Sequence, residues 1–79
     1  FRSELKEVPI PAGSTAVGKA IVDLGLPVDF LVVLIARDSD FVVPSGGVVL
    51  QGGDTLLVLA DQKALADVAE RYGVLEAPV

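Results

Sequence analysis

The chain has 79 residues, 11 acidic and 6 basic side chains, a net charge of −5, and neither cysteine nor histidine. That length points to one small domain with a limited core, and the composition excludes disulfides, thiol chemistry, histidine metal ligation and Ser-His or Cys-His catalysis. The basic residues Arg2, Lys6, Lys19, Arg37, Lys63 and Arg71 are scattered, so there is no patch for nucleic acid or an anionic membrane surface.

In chain order, "ELKEVPIPAG" predicts a short strand stopped by Pro9 and Pro11. Neither proline can donate to a ladder, which suits an edge strand or a strand end. Gly13 follows as a turn. Ser14 is the expected N-cap of a first helix. Behind it Val17, Ala20, Ile21 and Leu24 recur at i, i+3, i+4 and i+7, a helical stripe. Gly25 and Leu26-Pro27 close that helix. Gly18 inside it costs about 1 kcal/mol relative to alanine, which a close helix-to-strand approach would justify.

Phe30 to Ala36 is an unbroken aliphatic, β-branched run and predicts a strand covered on both faces. Asp38-Ser39-Asp40 is turn chemistry, and Phe41 to Val43 returns as a short strand ended by Pro44. Gly46-Gly47 and Gly52-Gly53 read as turns. Thr55 to Ala60 is the last predicted strand. Asp61 caps a second helix whose apolar stripe is Leu65, Val68, Ala69 and Tyr72, with Gly73 as its stop. The tail from Val74 carries no assigned structure. The order β-α-β-β-β-α, with elements this short, predicts an α+β fold: a small two-layer domain, mostly antiparallel sheet covered by helices.

No apolar run reaches the roughly 20 residues of a membrane helix, and no signal peptide is visible. The chain opens on Phe1 rather than Met, so residues 1–79 are expected to be a single domain excised from a larger chain. Hydrophobic residues make up 52 % of the sequence, with only three Phe and one Tyr, and the mean hydropathy is +0.64. Aliphatic surface on that scale exceeds what one small core hides, and self-association or docking is the expected remedy.

Candidate chemistry is sparse. "GGVVLQGG" lacks the spacing and strand-to-helix setting of a dinucleotide fingerprint, and the Lys-Ser/Thr ending of a P-loop. Asp38 and Asp40 lack the rest of a calcium loop. Asp54 enters a strand from a turn, where an aspartate closes the turn on its own backbone. Arg37 ends a buried strand beside a turn with two acids. It reads either as a local ion pair with Asp38 or Asp40 or as a guanidinium for a small anionic ligand. No nucleophile–base pair can be assembled, so no enzyme is expected.

Several short pieces nevertheless fall in a recognisable order. They are Glu4 before the first strand's end, Gly13-Ser14 with Gly18-Lys19, Leu24 to Pro27, Ile35-Ala36-Arg37-Asp38, Pro44, and Gly53-Asp54 running into "TLLVLA". From Glu4 to Asp61 the sequence resembles the TrkA C-terminal (RCK_C) domain of regulators of potassium conductance. Within that group "VPIPAGS", "LIARDSDFVVPSG" and "GDTLLVLAD" look most like the domain attached to bacterial NhaP-type cation (potassium)/proton antiporters. The resemblance implies a non-catalytic regulatory domain, on the cytoplasmic side of the membrane and attached to a membrane-embedded transporter portion, that forms homodimers. It also implies a small-molecule ligand in some members, such as a cyclic dinucleotide, near the dimer interface, at positions corresponding to Ile35, Arg37 and Pro44. A purely structural dimerisation module without a ligand is the alternative. No cofactor, metal or nucleic acid is implied, and the nucleotide-binding lobe of complete regulators is absent from these residues.

Overall fold

The computed structural model describes residues 3–75 and 77–79. The strands are β1 (Glu4–Pro9), β2 (Phe30–Arg37), β3 (Asp40–Val42), β4 (Thr55–Ala60) and β5 (Ala77–Pro78), with one α-helix, α1 (Gln62–Tyr72). They form a five-stranded sheet of order β3-β2-β4-β1-β5, with every neighbouring pair antiparallel. The α+β expectation therefore holds. "TLLVLA" becomes the central strand because its β-branched and aliphatic residues suit a pleated, largely covered position.

Side chains alternate across the pleat. Val8, Leu56 and Ile35 share one row of the inner face, and Val58 with Val32 and Ala60 with Phe30 extend it. All seven are buried. They join Ile10, Leu24, Leu50, Leu65, Val68 and Val74 in one core between the sheet, α1 and the long loops.

The second predicted helix is present as α1. Asp61 Oδ1 accepts the Ala64 N–H at 2.7 Å, and Gly73 closes the helix in the left-handed region at φ 63°. Leu65 and Val68 are buried, and Ala69 and Tyr72 pack against the core.

The first predicted helix does not form. Only Ile21–Asp23 makes a single 3₁₀ turn. Instead, residues 18–22 run alongside residues 46–50. The N–H of Gly18 donates to Leu50 O (2.9 Å), that of Leu50 to Lys19 O (3.0 Å), that of Ile21 to Val48 O (3.0 Å) and that of Val22 to Gly46 O (3.0 Å). Ala20 bridges Val49. An isolated helix this short is marginal, and a second strand of backbone satisfies the same donors. Gly18 has φ 86° with nothing within 4 Å of a Cβ built there, so backbone conformation, not a close approach, is its role. Ser14 caps no α-helix. Its Oγ accepts the Ala16 N–H at 3.1 Å and donates to the Tyr72 carbonyl oxygen, tying the loop to the end of α1.

Two further expectations change. β1 is not the sheet edge: Ala77–Pro78, in the tail left unassigned from sequence, pairs with Glu7 and Lys6 and places β1 between two strands. β2 is covered on one face only: Leu31 is 59 % exposed and Val33 43 %. The register of β2 against β4 shifts between Val32 and Leu34, a bulge at Val33. Strict alternation from Phe30 would aim Leu34 and Ala36 inward. The extra residue reverses this, so Ile35 and Arg37 face the inner side.

Candidate functional site

The bulge aims Arg37 at Asp54. Arg37 closes β2, and Asp54 immediately precedes β4, one residue beyond the Ala36–Thr55 pair. The guanidinium grips the carboxylate as a fork, with Nε to Oδ1 at 2.9 Å and Nη2 to Oδ2 at 2.8 Å. This two-point geometry is specific to arginine. Asp54 Oδ2 also accepts the Gln51 N–H at 2.9 Å, and Arg37 Nη2 donates to Val49 O at 2.9 Å.

Asp54 also organises backbone. Its carbonyl oxygen accepts the Ile10 N–H at 2.7 Å, and the Gly53 N–H donates to Ile10 O at 2.8 Å. The pair thus joins the end of β2, the exit from β1 and the loop before β4. Gly52-Gly53 permits this closeness. A Cβ on Gly52 would lie 2.9 Å from Ala12 Cα, and Gly53 holds φ 91°, a conformation glycine adopts without strain.

Asp54 is 1 % exposed. The hydrogen bonds from Arg37 hold its carboxyl below the usual carboxylate range. Burial opposes that shift, and the Gln51 N–H and the Arg37 charge add to it. The same contact holds Arg37 above its already high value. With both carboxylate oxygens engaged, Asp54 is poised as a structural anion rather than a proton acceptor.

The residues expected to meet a ligand are separated by depth. Ile35 is fully buried in the core. The Arg37 side chain is 22 % exposed, with Nε and Nη2 committed and Nη1 making no hydrogen bond among the described residues. Pro44 is half-buried in the loop after β3. The expected local partners of Arg37 were Asp38 and Asp40. The structure replaces them with Asp54, and Asp40 Oδ1 accepts the Phe41 N–H instead. The missed signal was register, because a β2–β4 pairing puts Asp54 level with Arg37.

The other prominent feature is the outer face of the sheet. Leu5, Leu59 and Leu31 form one row, Glu7, Leu57 and Leu34 the next, and Thr55, Ala36 and Phe41 a third. Leu5 is 45 % exposed, Leu31 59 % and Phe41 68 %. Glu7 is the one charged side chain on this face among the described residues. A shallow depression of about 110 Å³ lies between Glu7, Leu34, Phe41 and Leu57. An open apolar groove of about 590 Å³ runs along Pro9, Pro11, Gly52 and Leu75.

Among the described residues no group of three acidic side chains is placed to hold a metal, and no helix is long and apolar enough to cross a membrane. Residues 5–73 match the TrkA-C domain family. Over 76 residues, 96 % of the chain, the sequence is 34 % identical to the Trk system potassium uptake protein TrkA homolog of Archaeoglobus fulgidus. The chain spans 17 % of that relative's length.

Proposed function

The chain belongs to the TrkA-C domain family, and on that premise we propose that it is a regulatory module of a potassium transport system that acts as a homodimer joined through the outer face of its sheet. The observation that carries this reading is that face: three rows of mostly aliphatic side chains on an antiparallel sheet, left open by α1 and the loops, which lie on the other side. Exposed patches of this kind mark interaction sites. A second copy suits it because the chain concentrates its charge elsewhere. Two copies of net charge −5 repel at long range, yet meet here with almost no charge in contact.

The narrower proposal places the module on the cytoplasmic side of the membrane, as part of a cation/proton antiporter with a membrane-embedded portion. The match of residues 5–73 to the TrkA-C family, and a composition without histidine or cysteine, favour regulation over catalysis. A small anionic ligand would engage the module at Arg37 through Nη1, with the loop at Pro44 beside it. Ile35 would then support the site from beneath without touching the ligand. Such a ligand biases transport only by its difference in affinity for two dimer arrangements.

The test uses the complete transport protein. Leu31→Glu puts a charge on the outer face and is expected to leave basal potassium flux intact while abolishing its regulation. Regulation unchanged in a variant shown to be monomeric in this domain would overturn the reading. Arg37→Lys keeps the charge but loses the fork. It is expected to abolish thermal shifts produced by anionic nucleotides on the isolated domain, and shifts of wild-type size would remove Arg37 from the ligand site.

A further inference from the structure

Glu7 is anomalous on the outer face. Its β1 neighbours Leu5 and Pro9 are apolar, and its cross-strand partner on β4 is Leu57. Leu34 on β2 and Phe41 on β3 line the same depression. Thr55 contributes a hydroxyl, and no basic group faces Glu7 from β2, β3 or β4. The other charged residues of β1, Glu4 and Lys6, occupy the alternate positions, with Lys6 Nζ 4.0 Å from Glu4 Oε2. On β5 its backbone partner is Ala77. The carboxylate is therefore solvated in the single copy and would lose that water when the face is covered.

Resting on the homodimer reading, we propose that Glu7 couples self-association to proton binding: covering the outer face takes up a proton at Glu7 of each copy, so acidification drives the copies together. The physical basis is desolvation. An unpaired carboxylate moved from water into aliphatic surroundings favours its neutral form. A group protonated in the dimer and ionised in the single copy makes association proton-linked, by the same relation that makes folding so. The linkage gives a transport regulator a way to read the pH on its own side of the membrane. Glutamine mimics the protonated form, with similar shape and no charge.

The experiment is sedimentation equilibrium of the domain across about pH 7.5 to 5, with wild type, Glu7→Gln and Glu70→Gln. Glu70 is exposed on α1, so its variant removes the same charge away from the face. The expected result is a wild-type dissociation constant at least about tenfold lower at the acid end. Glu7→Gln is expected to bind at neutral pH as tightly as wild type does in acid, with a flatter profile, while Glu70→Gln follows wild type. Dimers whose affinity and pH profile are the same in wild type and Glu7→Gln overturn the proton coupling and leave the homodimer standing. Equal effects of the two substitutions reduce it to net charge and overturn it as well. Monomers in all three proteins at every pH overturn the homodimer reading and the coupling with it.

Discussion

Arg37 and Asp54 show how one bulge decides what a side chain does. Without the extra residue at Val33, Arg37 would point to the outer face and Asp54 would be a buried carboxylate with no counter-charge. The sequence made Arg37 conspicuous but assigned it neighbouring acids, because a bulge inside an unbroken aliphatic run leaves no mark on hydropathy. The pair has a definite pH signature. Asp54 is held below its ordinary value in the folded state, so its contribution is complete above the unfolded carboxylate range, about pH 4. It is lost as pH falls through the lower folded value. Urea unfolding midpoints of wild type are therefore expected to drop below about pH 4, while Asp54→Asn is less stable at neutral pH and loses less on acidification. Parallel profiles for the two proteins would remove the pair from acid stability. Gly53→Ala is a second probe. At φ 91° a Cβ costs about 1–2 kcal/mol, or roughly 5–15 °C of thermal midpoint for a domain of this size.

Among the elements, α1 was legible because several independent signals agree on it. Asp61 caps it, the Leu65 and Val68 stripe faces the core, and Gly73 stops it. Asp61→Ala is expected to cost about 1 kcal/mol, and Leu65→Ala about 2–5 kcal/mol, both measurable by denaturant titration. The segment from Ser14 to Leu24 also carried a cap and a stripe, yet its residues 18–22 pair with residues 46–50. Four apolar residues at helical spacing do not reveal whether a distant piece of backbone will take the same donors. The Ser14 hydroxyl was legible as a capping group, but its partner, the Tyr72 carbonyl 58 residues away, belongs to tertiary structure. Tyr72 also donates its hydroxyl to Leu24 O, so Tyr72→Phe is expected to loosen the loop against α1 at a cost of about 1 kcal/mol. Faster amide exchange around Leu24, with α1 still protected, is the matching observation.

At the scale of the whole molecule, the excess of aliphatic residues was the most informative property of the composition. It anticipated surface beyond the needs of one core, and the sheet's outer face is where that surface lies. The composition gave no hint of its location, because β2 reads as a strand buried on both sides. That reading is met only when a second layer covers Leu31, Val33 and Leu59. The architecture has one layer of helix and loops where the sequence of β2 asks for cover on both faces, and the proposed homodimer would supply the missing layer.

The most direct measurement is the sedimentation of wild type beside a Leu31→Glu, Leu59→Glu double variant, from low to high micromolar concentration. Wild type is expected to move from monomer to dimer across that range. The double variant, with side chains that point away from the core, is expected to keep its secondary structure and remain monomeric. A wild-type domain that stays monomeric at high micromolar concentration, or a folded double variant that dimerises equally well, would contradict the account.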